Sequence, residues 1–299
     1  MRELVVISGK GGTGKTSIVA SLAALAGRAV IVDCDVDAAD LHLVLAPVMR
    51  RRQEFRSGRK AVIRQADCTG CGICLAECRS EAVRTTNHSG AGCKFHIDPF
   101  SCDGCGVCVQ FCPEQAIDFP ERVCGEWFIS DTRFGPMVHA RLAIAAENSG
   151  KLVSIVRREA RIIAEERKSR WILVDGPPGI GCPVIASVTG ASLVLVVTEP
   201  TLSAEHDMER VLKLARHFGI PCLVCVNKWE INPQMTDRVE RKAELLGAAI
   251  AGRICYDRAV TTAMVHGATV EEFGGRAAED IRQMWKEIER LAGSDSFTC

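Results

Sequence analysis

The chain lacks an excess of either charge: 37 Lys and Arg balance 37 Asp and Glu over 299 residues. That balance removes the global electrostatic footprint of a nucleic-acid-binding protein, and no nucleic acid is expected as a partner. It also lacks any apolar run approaching the ~20 residues that cross a bilayer, so no membrane-spanning helix is expected. No signal peptide opens it, since Met1 leads at once into the apolar Leu4–Ile7, and a cytoplasmic location is expected. Disulfides are excluded in such a compartment, yet the chain holds 16 cysteines, and ten of them lie between Cys68 and Cys124. Reduced thiols crowded in this way point to metal. The length accommodates one large α/β domain and a small extra module.

The strongest local signal is GKGGTGKTS, Gly9 to Ser17, between a short apolar strand at Leu4–Ile7 and a small-residue helix at Ser17–Ala26. Gly9, Gly14, Lys15 and Thr16 fit the phosphate-loop pattern G-x-x-x-x-G-K-[ST], in which backbone N–H groups curl around an anion at a helix N-terminus. On this reading the whole stretch, Gly9, Lys10, Gly11, Gly12, Thr13, Gly14, Lys15, Thr16 and Ser17, binds a nucleotide. Lys15 reaches the terminal phosphates and Thr16 places a hydroxyl on Mg2+. The glycines Gly9, Gly11 and Gly14 also spell the dinucleotide fingerprint G-x-G-x-x-G, but a dinucleotide turn has no use for Gly-Lys-Thr at its end. With its second lysine, Lys10-Gly-Gly-Thr-Gly-Lys15-Thr resembles the deviant Walker A motif of the MinD/ParA/nitrogenase iron protein class of P-loop ATPases. The resemblance implies that Lys10 crosses to the nucleotide of a partner subunit, in a homodimer that forms on ATP binding.

Other stretches extend the likeness. The strand at Ala29–Val32 ends in Asp33-Cys-Asp35, similar to the D-x-D of that class, whose second acid, here Asp35, orients the attacking water. Asp37 and Asp40 read as solvated helix-start residues. The strand at Trp171–Val174 ends in Asp175-Gly-Pro-Pro-Gly179, which resembles Walker B followed by switch II. This implies that Asp175 holds Mg2+ and that the Gly179 N–H senses the γ-phosphate. Thr198, Pro200, Ser203 and Asp207 match the family's next segment. Asn227, after a strand at Pro221–Val226, is implied to bind the adenine edge, and Tyr256 and Asp257 approach the base or ribose. Lys10, Lys15 and Asp35 are thus the implied catalytic residues.

Three of the cysteines outside the crowded stretch read as structural. Cys182 reads as a buried helix-start residue, with a ligand role near the dimer interface as the alternative. Cys222 and Cys225 lie three apart in a strand, facing opposite sides, and read as core. The apolar stripe Ile281, Met284, Trp285, Ile288 and Leu291 of the last helix packs on the domain. Its polar face is mixed in sign, so membrane targeting is not expected. Arg-rich Pro47–Lys60 reads as a solvated linker, with a docking patch for an acidic redox partner as the alternative.

The crowded cysteines fall into two runs of one spacing, Cys68-x2-Cys71-x2-Cys74-x3-Cys78 and Cys102-x2-Cys105-x2-Cys108-x3-Cys112-Pro113. This doubled pattern resembles a bacterial two-cluster ferredoxin, in which the fourth cysteine of each run belongs to the other cluster. Cys68, Cys71, Cys74 and Cys112 are therefore expected to hold one 4Fe–4S cluster, and Cys102, Cys105, Cys108 and Cys78 the other. Zinc ribbons seldom repeat four-cysteine runs in this way. Arg79 stands where ferredoxins usually have proline. Cys93 and Cys124 fall outside the pattern and read as non-ligands.

The expected fold is α/β: a mostly parallel P-loop NTPase sheet with helices on both faces over 1–58 and 124–299, interrupted by a small ferredoxin-like α+β domain over 59–123. After the insert, strand-like Glu126–Ser130, helix Met137–Glu147 and helix Lys151–Arg167, capped at Asn148 to Lys151, are expected. The expected cofactors are ATP, Mg2+ and two 4Fe–4S clusters. The expected function is slow, switch-type ATP hydrolysis that gates electron transfer to a redox or cofactor-assembly protein partner. A cluster carrier and a positioning factor with structural clusters are the alternatives.

Overall fold

The computed structural model describes residues 1–86, 94–143 and 149–293. The elements in chain order are β1 (Arg2–Ser8), α1 (Lys15–Leu25), β2 (Ala29–Asp33), α2 (Leu41–Leu45), β3 (Val48–Arg59), β4 (Val62–Ile63), α3 (Ile73–Ala76), β5 (Val83–Thr86), β6 (Lys94–Ile97), α4 (Val107–Gln110), β7 (Ile117–Asp118), β8 (Glu121–Thr132) and β9 (Gly135–Leu142). They continue with α5 (Ser149–Glu166), β10 (Trp171–Pro178), α6 (Cys182–Val188), β11 (Leu193–Thr198), α7 (Leu202–His217), β12 (Cys222–Asn227), α8 (Pro233–Leu245), β13 (Ala249–Ile254), α9 (Arg258–Val265), α10 (Val270–Phe273) and α11 (Arg276–Gly293). Two compact units emerge. The first comprises 1–53, 126–142 and 148–299; the second comprises 54–125 and 143–147.

The first unit is built on a sheet ordered β13-β12-β11-β1-β10-β2-β9-β8-β3 among the described residues. The pairings from β13 through β9 are parallel. Strands such as Leu193–Thr198 and Cys222–Asn227 are buried throughout, as a parallel sheet covered on both faces demands. Leu4 and Val6 of β1 face one layer with α1 and α11, whose stripe Ile281, Met284, Trp285, Ile288 and Leu291 is buried there. Trp285 lies against Trp171 with ring centroids 5.2 Å apart. The other face is covered by α5 and α6, and a buried ion pair fastens them to β1. Arg157 of α5 donates to Glu3 at 2.7 Å and to the Ala186 carbonyl at 2.6 Å.

Two expected elements differ. The segment 137–142 is part of strand β9, not the start of a helix, and pairs with β2 through Met137, Val138 and His139. Val138, Ala140 and Leu142 alternate with Met137, half-buried His139 and exposed Arg141, and over so few residues that alternation does not separate a strand from a helical face. The arginine-rich 48–59 is the edge strand β3, not a linker. It reads as polar because nearly all of its residues are exposed; Arg50 pairs with Asp131 at 2.7 Å, and Arg52 pairs with Glu126. Charged side chains on an edge strand also discourage stray pairing. The expected capping role of Asn148 and the rest of the segment to Glu147 fall largely outside the described residues.

The second unit is small and internally repeated. Strand β4 pairs antiparallel with β7, and β5 with β6. Each half carries one short helix opened by a glycine, Gly72 for α3 and Gly106 for α4. The Arg64 N–H donates to the Ala116 carbonyl at 2.8 Å, and the Asp98 N–H repeats the bond to Ala82 at 2.8 Å. Its core is Ala61, Ile63, Ala82, Val83, Phe95 and Ile117 with Cys74 and Cys102, so the cysteines themselves supply apolar packing. Gly104 has φ +69, and a side chain there would collide with the Arg59 carbonyl oxygen. Only glycine satisfies both demands.

Candidate functional site

Strand β1 ends at Ser8 and helix α1 starts at Lys15, so the phosphate loop is the turn between them. Gly14 caps α1 with φ +86, and a Cβ on it would lie 2.5 Å from the Asn227 amide nitrogen. Position 14 is glycine for the backbone and for this close approach. The cleft beside the loop is lined by Gly11, Gly12, Thr13, Gly14, Lys15, Thr16 and Ser17, by Asp35, Asp37 and Asp40 from the end of β2, and by Asn227, Tyr256 and Asp257. Gly9, Lys10, Asp175 and Gly179 are not on its wall.

Asp175 lies beneath the loop and is buried. Its Oδ1 accepts from Lys15 Nζ at 2.5 Å and its Oδ2 from the Thr16 hydroxyl at 2.8 Å. The two residues expected on Mg2+, Thr16 and Asp175, are thus in contact, and the loop lysine has its charge matched by the same carboxylate. Burial pulls the Lys15 ammonium down, but Asp175 more than offsets it, with Asp35 at 3.9 Å adding to the effect, so its pKa stays raised. Thr13 is buried and its hydroxyl oxygen has no hydrogen-bond partner in the protein. A buried polar atom of this kind costs about 1–3 kcal/mol when unmet, so the loop fits an anionic ligand that meets it.

Asp35 and Asp33 differ in role. Asp33 is fully buried and accepts N–H bonds from Asp35 at 3.1 Å and Leu41 at 3.3 Å, fixing the turn after β2. Burial, then neighbouring Asp175, pushes its carboxyl well up. Asp35 is partly open to the cleft; burial raises it to about 6, opposed by Lys15 and reinforced by Asp175 and Asp37. A carboxyl raised in the fold holds a proton that the unfolded chain has already lost. The stability it contributes is therefore present below about pH 4 and lost as pH rises through about 6. Asp35→Asn should be more stable than the parent at pH 7.5, by about 1 kcal/mol after allowing for solvent screening. Urea midpoints should show this gain shrinking at pH 5, and a gain independent of pH would refute the assignment.

Two of the residues expected at the nucleotide make hydrogen bonds within the protein. The Asn227 side chain turns its amide N–H to the Thr13 carbonyl at 2.8 Å, bracing the phosphate loop. Gly179 donates its N–H to the Ser8 carbonyl at 2.9 Å, tying the loop after Asp175 back to β1. Cys182 starts α6 as expected but is exposed, not buried, because it lies in the first turn beyond that loop. Cys222 and Cys225 are buried in β12. Glu199, which holds both Lys10 and Lys228, was not legible in the sequence; no motif singles it out.

In the second unit the cysteines sort into two cavities. One is lined by Cys68, Cys71, Cys74 and Cys112, and the other by Cys78, Cys102, Cys105 and Cys108. Each cavity draws three thiols from one run and the fourth from the other. Burial and then the neighbouring Cys68, Cys71 and Cys112 push the Cys74 thiol up. Burial, then Cys102 and Cys105, pushes Cys108 up to about 11. The crossing cysteines are held alike: the Cys78 sulfur accepts from the Ala82 N–H and the Cys112 sulfur from the Ala116 N–H, both at 3.3 Å. Burial raises the Cys78 thiol, but the Ser80 hydroxyl and the N–H groups of Val83 and Ala82 bring it below its ordinary value. Among the described residues no three His, Cys, Asp or Glu side chains converge on a single-ion site. Cys124 lies apart from both cavities, buried and donating to the Ser57 carbonyl at 3.0 Å. Cys93 lies outside the described residues.

Comparison with known proteins follows the same lines. Residues 4–270 match the model of the CobQ/CobB/MinD/ParA nucleotide binding domain. The uncharacterized protein MJ0578 of Methanocaldococcus jannaschii is 34% identical over 233 residues, covering 77% of this chain and 79% of that one. The cell division ATPase MinD of Pyrococcus furiosus superposes on 97% of this chain and 99% of its own, with a TM-score of 0.56 and 18% identity. The septum site-determining protein MinD of Pyrococcus horikoshii, solved with Mg-ADP, covers 98% of this chain and 97% of its own, with a TM-score of 0.57 and 17% identity. At such identities the structural likeness speaks for the fold.

Proposed function

The chain belongs to the CobQ/CobB/MinD/ParA nucleotide-binding family, and from that premise we propose that it is an ATP-hydrolysing switch whose second unit carries two 4Fe–4S clusters. Nucleotide-driven pairing of two chains gates electron transfer from those clusters to a partner protein. The observation that supports this best is the crossed sorting of eight cysteines into two four-thiol cavities.

The donor chemistry fits the clusters. Each cavity presents four thiols, the donor set that a 4Fe–4S cluster takes. The N–H groups aimed at Cys78 and Cys112 would stabilise thiolate charge. Bound in these cavities, the clusters would supply one-electron carriers. Cys71 and Cys105 are the exposed members of their sets, which makes their corners the natural points of exit.

In the first unit Thr16 and Asp175 would hold Mg2+, whose charge would offset that of the phosphates. Lys15 neutralises phosphate charge from within the subunit, and Lys10 does so from the partner subunit. Asp35 orients water in its ionised form. Asn227 keeps the phosphate loop in register through Thr13. Gly179 must surrender its bond to Ser8 before its N–H can turn to a phosphate, which gives the loop two positions.

Protein purified without oxygen should carry about eight irons per chain. After dithionite reduction, its rate of electron transfer to cytochrome c should change on adding ATP but not ADP. Equal rates would sink the gating. Passage of labelled iron to an apo-ferredoxin would favour the carrier alternative.

A further inference from the structure

The second lysine of the phosphate loop is held on its own subunit. Lys10 Nζ lies 3.5 Å from Oε2 of Glu199, while Oε1 of the same carboxylate accepts from Lys228 Nζ at 2.6 Å. Glu199 follows the last residue of β11, and Lys228 follows the last residue of β12, the neighbouring strand. One side chain of a single negative charge thus faces two ammonium groups. The carboxylate is 15% exposed and Lys10 is 36% exposed, so the pair sits at the rim where salt screens only part of the attraction.

We propose that Glu199 is a positioning residue that latches Lys10 to its own subunit, and that ATP-dependent pairing must take Lys10 from it. This rests on the reading above that Lys10 serves the nucleotide of a second chain. Because Lys228 remains 2.6 Å from the carboxylate, releasing Lys10 leaves no bare buried charge, and the latch opens at small cost. The same arrangement gives the two neighbours opposite effects. Neutralising Glu199 frees Lys10, whereas removing Lys228 leaves the whole carboxylate to Lys10 and tightens the hold.

The test is the ATP concentration that half-saturates dimer formation, read by sedimentation velocity for the full chain and its variants. Glu199→Gln should lower that concentration about fivefold, since each dimer opens two partly exposed pairs. Lys228→Met should raise it. Binding of an ATP analogue to dilute monomer, measured alongside, should be the same for Glu199→Gln and the parent, which separates the latch from damage to the nucleotide site; Lys228 itself lines the cleft, so pairing of Lys228→Met is compared at equal occupancy of its own monomer. Pairing of Glu199→Gln at the parent's ATP concentration, or a shift of both variants in one direction, overturns the latch. Lys10→Ala separates the two layers of the argument. If it cannot pair while Glu199→Gln behaves as the parent, only the latch fails; if it pairs normally, the premise and the latch fail together.

Discussion

Cys112→Ser is expected to cost the protein the cluster of Cys68, Cys71 and Cys74 and to leave that of Cys102, Cys105 and Cys108 in place. Read by sequence order alone, Cys112 closes the second run, and the opposite loss would follow. The cavities instead follow the crossed assignment expected from the spacing, because Cys112 lines the first and Cys78 the second. Iron should fall from about eight to about four per chain. The low-temperature spectrum of the reduced protein should change from two interacting spins to one. Cys78→Ser should give the same count with the other cluster lost, so the surviving signals of the two variants should differ from each other. Identical survivors would refute the crossing, and loss of all iron in both would show that neither half holds a cluster alone. The similar N–H bonds at Cys78 and Cys112 make the two variants a matched pair.

Lys15→Ala is expected to reduce ATP hydrolysis by at least ~100-fold and to abolish measurable nucleotide binding. Lys15 is buried against Asp175 at 2.5 Å, so truncating it removes a phosphate-facing charge and also strands a buried carboxylate. Lys10→Ala should lose hydrolysis to a comparable degree yet bind nucleotide as the parent does in dilute monomer. Its side chain is 36% exposed and, among the described residues, pairs with Glu199 at the rim. Isothermal titration at low protein concentration, beside a phosphate-release assay, separates the two lysines. Equal loss of monomer binding in both variants would mean that Lys10 serves its own subunit and would remove the case for a shared site.

The sequence carried the parts of this molecule that chemistry constrains residue by residue. A phosphate loop needs glycine at 14 and a lysine and hydroxyl directly after it, and Lys15, Thr16 and Asp175 meet in the fold. The cysteine spacing likewise anticipated which thiols share a cavity. Where the sequence misled, burial was the missing quantity. The arginines of β3 look like a linker because Val48–Arg52 is exposed throughout and only Phe55 and Ser57 are buried beyond it, and its charges are met by Asp131 and Glu126 from distant positions. The stretch Met137–Leu142 was too short for its alternation, ending in exposed Arg141, to be told from one face of a helix. Cys182 has apolar neighbours in sequence but stands at a helix start open to solvent. Glu199 escaped notice because an ion pair between the ends of two strands leaves no mark on local spacing.

The chain leaves the large sheet at Arg59, the end of β3, and re-enters it at Glu121, the start of β8, and these two strands are hydrogen-bonded neighbours. To the ATPase scaffold the whole excursion is therefore a hairpin whose tip has been opened. Closing a longer tip adds little entropy, because the penalty grows only with the logarithm of its length. The arrangement is that of a cassette: the tip could be exchanged for a two-residue turn, or for another small module, without asking any other strand to change its neighbour.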